Sequence, residues 1–93
     1  MNRKKAIHSL LEIMAFELLA YIKDVETQFE DRWIPAAEIK NELELNFVAV
    51  PKDSEQQGGK GWLFAILARL LEDQDMIEYK KEESRAFCRT KMA

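Results

Sequence analysis

The hydrophobic period of this chain changes once, near Asp75, and that change restricts the folds open to it. Upstream, Trp62-Leu63-Phe64-Ala65-Ile66-Leu67-Ala68-Arg69-Leu70-Leu71 is an apolar run followed by Glu72-Asp73-Gln74-Asp75. At 3.6 residues per turn the run makes about three helical turns. Its core face is expected to be Leu63, Ile66, Leu67, Leu70 and Leu71, with Gly61, Ala65, Ala68, Arg69 and Glu72 outward and Trp62 and Phe64 at the edges. Downstream the period becomes two: Ile77 and Tyr79 share one side of a strand, Glu78 and Lys80 the other. Glu82-Glu83-Ser84 reads as the turn and Arg85 to about Lys91 as the return strand, where Ala86, Phe87 and Cys88 leave the inward side open.

Before this helix-to-hairpin unit lie two further helices. From Lys5 to about Glu30, Ile7, Leu11, Met14, Leu18, Tyr21, Ile22, Val25 and Phe29 fall in one helical stripe, and neither Gly nor Pro occurs before Pro35. A second apolar group, Ile13, Phe16, Leu19 and Ala20, falls outside that stripe and needs separate cover. Two covers are open: the rest of the chain's own fold, or the same helix of a second copy in a homodimer, the commonest soluble assembly. Trp33-Ile34 suits a short strand, after which Pro35 presets a helical first turn. In that second helix Ala36, Ile39 and Leu43 form the buried stripe, and Glu38, Asn41 and Glu42 face water.

Between Asn46 and Gly59 regular signals lapse. Phe47-Val48-Ala49-Val50 suits a short extended segment and Pro51-Lys52-Asp53-Ser54 a turn, while Gly58-Gly59 weaken the capping-box spacing of Ser54 and Gln57. The third helix is expected to start near Gly59 to Gly61. No linker, repeat or low-complexity tract divides the chain, so residues 1–93 are read as one α+β domain, mainly α.

With one Cys and one His, neither an internal disulfide nor a structural zinc can be assembled, and no cofactor is expected. Arg3-Lys4-Lys5 precedes apolar residues, but His8, Glu12 and Glu17 interrupt the run and no small-residue cleavage site follows. The longest uncharged stretch, Gly61 to Ala68, is far short of the roughly 20 apolar residues of a membrane span. A soluble, cytoplasmic protein without a membrane partner is the expectation. Catalysis has little support. His8 has no evident partner, Cys88 sits among apolar neighbours, and Gly58-Gly59-Lys60-Gly61 lacks the spacing and the Ser/Thr of a phosphate loop.

The order helix, short strand, helix, helix, hairpin resembles the winged helix-turn-helix superfamily from about Trp33 to Lys91. Leu67-Ala68-Arg69-Leu70-Leu71-Glu72 resembles the end of a recognition helix, Asp73-Gln74-Asp75 its polar exit, Met76-Ile77 the start of a wing, and Arg85-Ala86-Phe87-Cys88-Arg89-Thr90 the basic-aromatic return strand. The roughly dozen residues between Leu45 and Gly59 replace the few-residue turn usual between the second and third helices.

The resemblance implies double-stranded DNA as partner and a role in transcriptional regulation, with the third helix in the major groove and the wing along the backbone. The matching positions are Gln56, Gln57, Lys60, Trp62 and Arg69, with Lys80, Lys81 and Arg85 on the wing. Charge is mixed evidence. The net charge is -3, yet residues 1–10 hold Arg3, Lys4 and Lys5 and no acid, and residues 76–93 hold five basic against three acidic side chains. Winged helices also serve as protein-docking modules, and here the acidic body with Trp62, Ala65 and Ala68 would supply such a surface.

Overall fold

In the computed structural model, which describes residues 2–45 and 61–91, the first helix starts at a polar cap. The Asn2 side chain accepts a hydrogen bond from the Lys5 amide at 3.3 Å, satisfying one of the free donors of the first turn. Helix α1 runs Arg3–Val25, starting two residues earlier and ending some five residues sooner than its periodicity suggests. Its exit is set by tertiary bonds. Glu26 turns inward within a short 3-10 turn, Phe29 is extended, and Asp31 and Arg32 adopt positive φ of 53° and 64° before the chain enters the sheet.

Strand β1 (Ile34–Pro35) leads directly into α2 (Ala36–Glu42), so a short strand precedes the second helix as expected, but it lies one residue later than Trp33-Ile34, and Pro35, extended at ψ 130°, caps the helix rather than opening its first turn. Ala36 and Ile39 are buried, Leu43 is half-buried, and Glu38, Asn41 and Glu42 are exposed. The expectations for Phe47–Val50, the Pro51–Ser54 turn and the Ser54/Gln57 spacing lie outside the described residues. Helix α3 (Trp62–Asp73) then hands over to β2 (Ile77–Glu82) and β3 (Arg85–Thr90). Glu82 pairs with Arg85, so the hairpin turn is Glu83-Ser84 alone.

The three strands form an antiparallel sheet in the order β1-β3-β2. Ile34 stands opposite Cys88, and Cys88 opposite Tyr79. Pro35, which cannot donate to a ladder, sits on an edge strand where that loss matters least. The molecule is thus α+β and mainly helical. Its core forms where Ala15, Leu18 and Ile22 of α1 meet Ile39 of α2, Phe64, Leu67, Ala68 and Leu71 of α3, and Ile34, Ile77 and Cys88 of the sheet. Each fully buried Ile or Leu contributes about 1.5–3 kcal/mol. The open question of the return strand resolves by parity: Cys88 and Thr90 are buried, Ala86 is half-buried on the same side, and Phe87 faces the other way.

The rotational setting of α3 corrects the expected core face. Phe64 and Ala68 are buried along with Leu67 and Leu71, Leu63 and Leu70 are half-buried, and Ile66 is 43% exposed. Ala68 and Gly61, expected outward, are both buried. Apolar residues occupy nearly every side of this helix, so periodicity leaves its rotation loose. The side chains that fit decide it. Phe64 fills space in the core while the methyl of Ala68 permits close packing.

Gly61 precedes α3 at φ 83°, a left-handed backbone that only glycine adopts without strain. The Lys40 Cδ lies 2.6 Å from where a Gly61 Cβ would stand, and the Lys40 ammonium sits 5.9 Å from the Phe64 ring centre. Glycine here therefore lets α2 cover the entry to α3.

Candidate nucleic-acid interface

The outward side of α3 runs beside β2. The exposed Ala65, Arg69 and Glu72 of the helix, the buried Ala68 beside them and Tyr79 of the strand line a shallow groove of about 210 Å³. Alternation carries Lys81 onto the same side of the sheet as Tyr79, and Lys81 is exposed with no ion pair among the described residues. Arg69 is exposed too, but its Nε donates to Asp73 Oδ1 at 3.0 Å, one helical turn on. Such an exposed pair is worth little and opens readily for another anion. Burial raises the Tyr79 phenol above its ordinary pKa, with Cys88 and Glu72 acting in the same direction. The hydroxyl therefore stays protonated near neutrality and can donate a hydrogen bond into the groove.

The eight positions expected at a nucleic-acid surface divide three ways. Trp62, Arg69 and Lys81 lie on or beside the outward side of α3, and Trp62 is 41% exposed. Lys80 and Arg85 do not join them, because both point from the opposite face of the sheet. Gln56, Gln57 and Lys60 lie outside the described residues.

On that opposite face the cations are held by aromatic rings. The Lys80 ammonium lies 4.5 Å from the Trp33 ring centre and 5.4 Å from that of Phe87, and also pairs with Glu82 at 2.9 Å. The Arg89 guanidinium covers Trp33 at 4.1 Å and its Nε donates to Glu78 at 3.2 Å, while Arg85 lies 5.3 Å from the Phe87 ring. Cations over ring faces contribute roughly 0.5–2 kcal/mol each, depending on desolvation. Lys80 and Arg85 thus act first as clamps on the sheet. Sequence reading treats them as wing charges because Lys80 meets Phe87 only through the hairpin register, which depends on Glu83-Ser84 being the whole turn.

Along α1, Ile13, Phe16 and Ala20 of the suggested pairing group are exposed, whereas Leu19 is half-buried against the chain's own core. His8 is exposed. Among the described residues no cluster of His, Cys, Asp or Glu has the makings of a metal site, and no helix is long and apolar enough to cross a membrane. Burial pushes the Cys88 thiol up to about 12, with Glu26 adding to the shift, so it is a small hydrophobe rather than a nucleophile. No protein-family model, curated protein or solved structure matches the chain.

Proposed function

We propose that this chain is a winged-helix DNA-binding domain serving in transcriptional control, with α3 as the groove-entering helix and the β2–β3 hairpin as its wing. The observation that carries the reading is the joint surface of α3 and β2, where Ala65, Arg69 and Tyr79 meet in one groove and Lys81 shares the strand side of Tyr79. The element order and the strand order β1-β3-β2 support the winged-helix resemblance. A helix fits the roughly 12 Å major groove of B-DNA, and the small Ala65 lets its backbone come close. Arg69 exchanges Asp73 for a base edge or phosphate, and Lys81 neutralises the backbone beside it.

The test is gel retardation of mixed-sequence duplex DNA at low salt. Retardation is expected, weakened by Lys81→Glu or Arg69→Glu without change in the far-UV spectrum. Loss of one phosphate contact lowers the slope of log affinity against log salt by about 1. Absence of retardation at roughly 50 µM protein, well within the range of non-specific binding, overturns the reading.

A specific observation favours a second reading, a protein-docking module. Trp62 and Ile66 are 41% and 43% exposed on α3, and an exposed Trp is a common anchor of protein interfaces. The same variants separate the two: charge reversal at Arg69 and Lys81 abolishes DNA binding but leaves a contact centred on Trp62, which Trp62→Ala removes.

A further inference from the structure

We propose that the N-terminal half of α1 is a dimerisation arm that lies antiparallel across α1 of a second copy and covers the Ile13-to-Leu18 end of an apolar groove there. This goes beyond the DNA reading and stands whether or not that reading holds. Residues 2–10 are all exposed, the first half-buried residue being Leu11 and the first fully buried one Ala15. At about 1.5 Å per residue the first eight residues of α1 project roughly 12 Å past the body. The arm is not polar all round. Ile7, Leu10 and Ile13 are 59%, 59% and 56% exposed and Met14 is 38% exposed, at the three- and four-residue spacing that makes one helical stripe. A stripe of this kind ordinarily marks an interface.

The stripe runs into an open groove of about 490 Å³ lined by Ile13, Met14 and Tyr21 of α1, by Leu43 and Leu45 beyond α2, and by Leu63 of α3. Charge selects the occupant. The arm carries Arg3, Lys4 and Lys5 with no acid before Glu12, while Glu17 stands on the groove wall within the arm's reach, and none of these four makes an ion pair among the described residues. A second copy supplies the apolar stripe and the opposite charge together. A twofold axis near Leu10 and Leu11 places Ile7 against Met14 and Lys4 against Glu17, in both directions at once. The partner surface is therefore centred on Ile7, Leu10 and Met14, with Ile13 at its edge opposite His8, rather than on the Phe16 and Leu19 side of the helix.

The test is sedimentation equilibrium of the full chain up to roughly 200 µM, a range that reads any dissociation constant of moderate strength. A concentration-dependent dimer is expected. Ile7→Asp with Leu10→Asp should raise the dissociation constant at least tenfold with an unchanged helical spectrum, since both side chains are solvent-exposed in one copy. Lys4→Glu should weaken the dimer and Glu17→Lys in the same chain should restore it, a response that a merely structural role would not give. A monomer throughout the range overturns the proposal, leaving the groove to this chain itself or to another partner. So does a dimer indifferent to Ile7 and Leu10. Retardation of DNA by the monomeric variant, measured separately, keeps failure here distinct from failure of the DNA reading.

Discussion

Glu26 brings a carboxylate into the interior, and its position is explained by what it accepts. Its Oε1 takes the Thr90 amide at 2.8 Å and the Arg32 guanidinium at 3.2 Å, and its Oε2 takes the Thr90 hydroxyl at 2.6 Å. Arg32 closes the circuit by donating to the Thr90 carbonyl and hydroxyl, each at 3.1 Å. A buried carboxylate is tolerated only when paired and hydrogen-bonded in this way. The cluster joins the exit of α1 to the last residue of β3, which is why α1 stops at Val25 and why Asp31 and Arg32 hold left-handed backbone angles. Removing the acceptor leaves a buried amide and a guanidinium without their partner. Glu26→Ala should lower unfolding free energy by about 2–4 kcal/mol, and Glu26→Gln, which keeps one acceptor, by about 1–2 kcal/mol. Urea titration with an unchanged m-value is the check. Equal losses for the two variants would mean that the charge and not the acceptor geometry is what matters.

At the scale of elements, two helices end in the same unusual way. After α2, the Glu44 amide donates to Asn41 and the Leu45 amide to Lys40; after α3, the Asp75 amide donates to Glu72 and the Met76 amide to Leu71. Both are Schellman closures with a left-handed residue that is Glu44 (φ 54°) in one and Asp75 (φ 59°) in the other, where glycine is usual. Glu83 (φ 56°) does the same in the two-residue hairpin turn. A left-handed non-glycine residue costs about 1–2 kcal/mol and the greater freedom of unfolded glycine about 0.5–1, so Glu44→Gly and Glu83→Gly should each stabilise by about 0.5–1 kcal/mol. Loss of stability on either change would contradict the backbone assignment. The setting of α3 is tested by contrast: Ala68→Leu should overpack the core and destabilise by about 1–3 kcal/mol, while Ala65→Gln stays within about 0.5 kcal/mol of the parent. These features also mark the limit of what the chain declares locally. Pro35, the Ala36-Ile39-Leu43 stripe and the alternation of Ile77 to Lys80 announce β1, α2 and the hairpin because each signal is complete within a few residues. The end of α1 was not legible because Thr90, 64 positions from Glu26, decides it. The helix ends lacked their glycine, and a helix apolar on most sides cannot state its own rotation. At the candidate site Trp62, Arg69 and Lys81 were legible as members of α3 and the wing, and alternation already set Lys80 opposite Tyr79; the two-residue turn that fixes the face of Arg85 and brings Phe87 beside Lys80 was not legible.

At the scale of the molecule, the groups with displaced titration among the described residues all push in one direction. Burial raises the Cys88 thiol from an ordinary value of 9.0 to about 12, with Glu26 adding to it. Burial also raises Tyr79, helped by Cys88 and Glu72, and raises Tyr21, helped by Glu42 and Glu38. In each case the folded chain keeps a proton that the unfolded chain gives up, so above the unfolded value the folded state binds more protons and stability falls with rising pH. The contribution is fully present below pH 9 and is lost between the ordinary thiol value of 9.0 and about 12 for Cys88. One such group gives a slope of at most about 1.4 kcal/mol per pH unit. Ionisation also adds negative charge to a chain already at -3, which compounds the loss. Urea midpoints should therefore stay level from neutrality to about pH 8.5 and then decline steeply. Cys88→Ala opens a small cavity and starts from a lower midpoint, yet its alkaline decline should be shallower than that of the parent. A thiol reagent should likewise reach Cys88 only as fast as the chain opens. Midpoints level to about pH 10.5, or an identical decline in Cys88→Ala, would show that the buried thiol does not govern the alkaline edge.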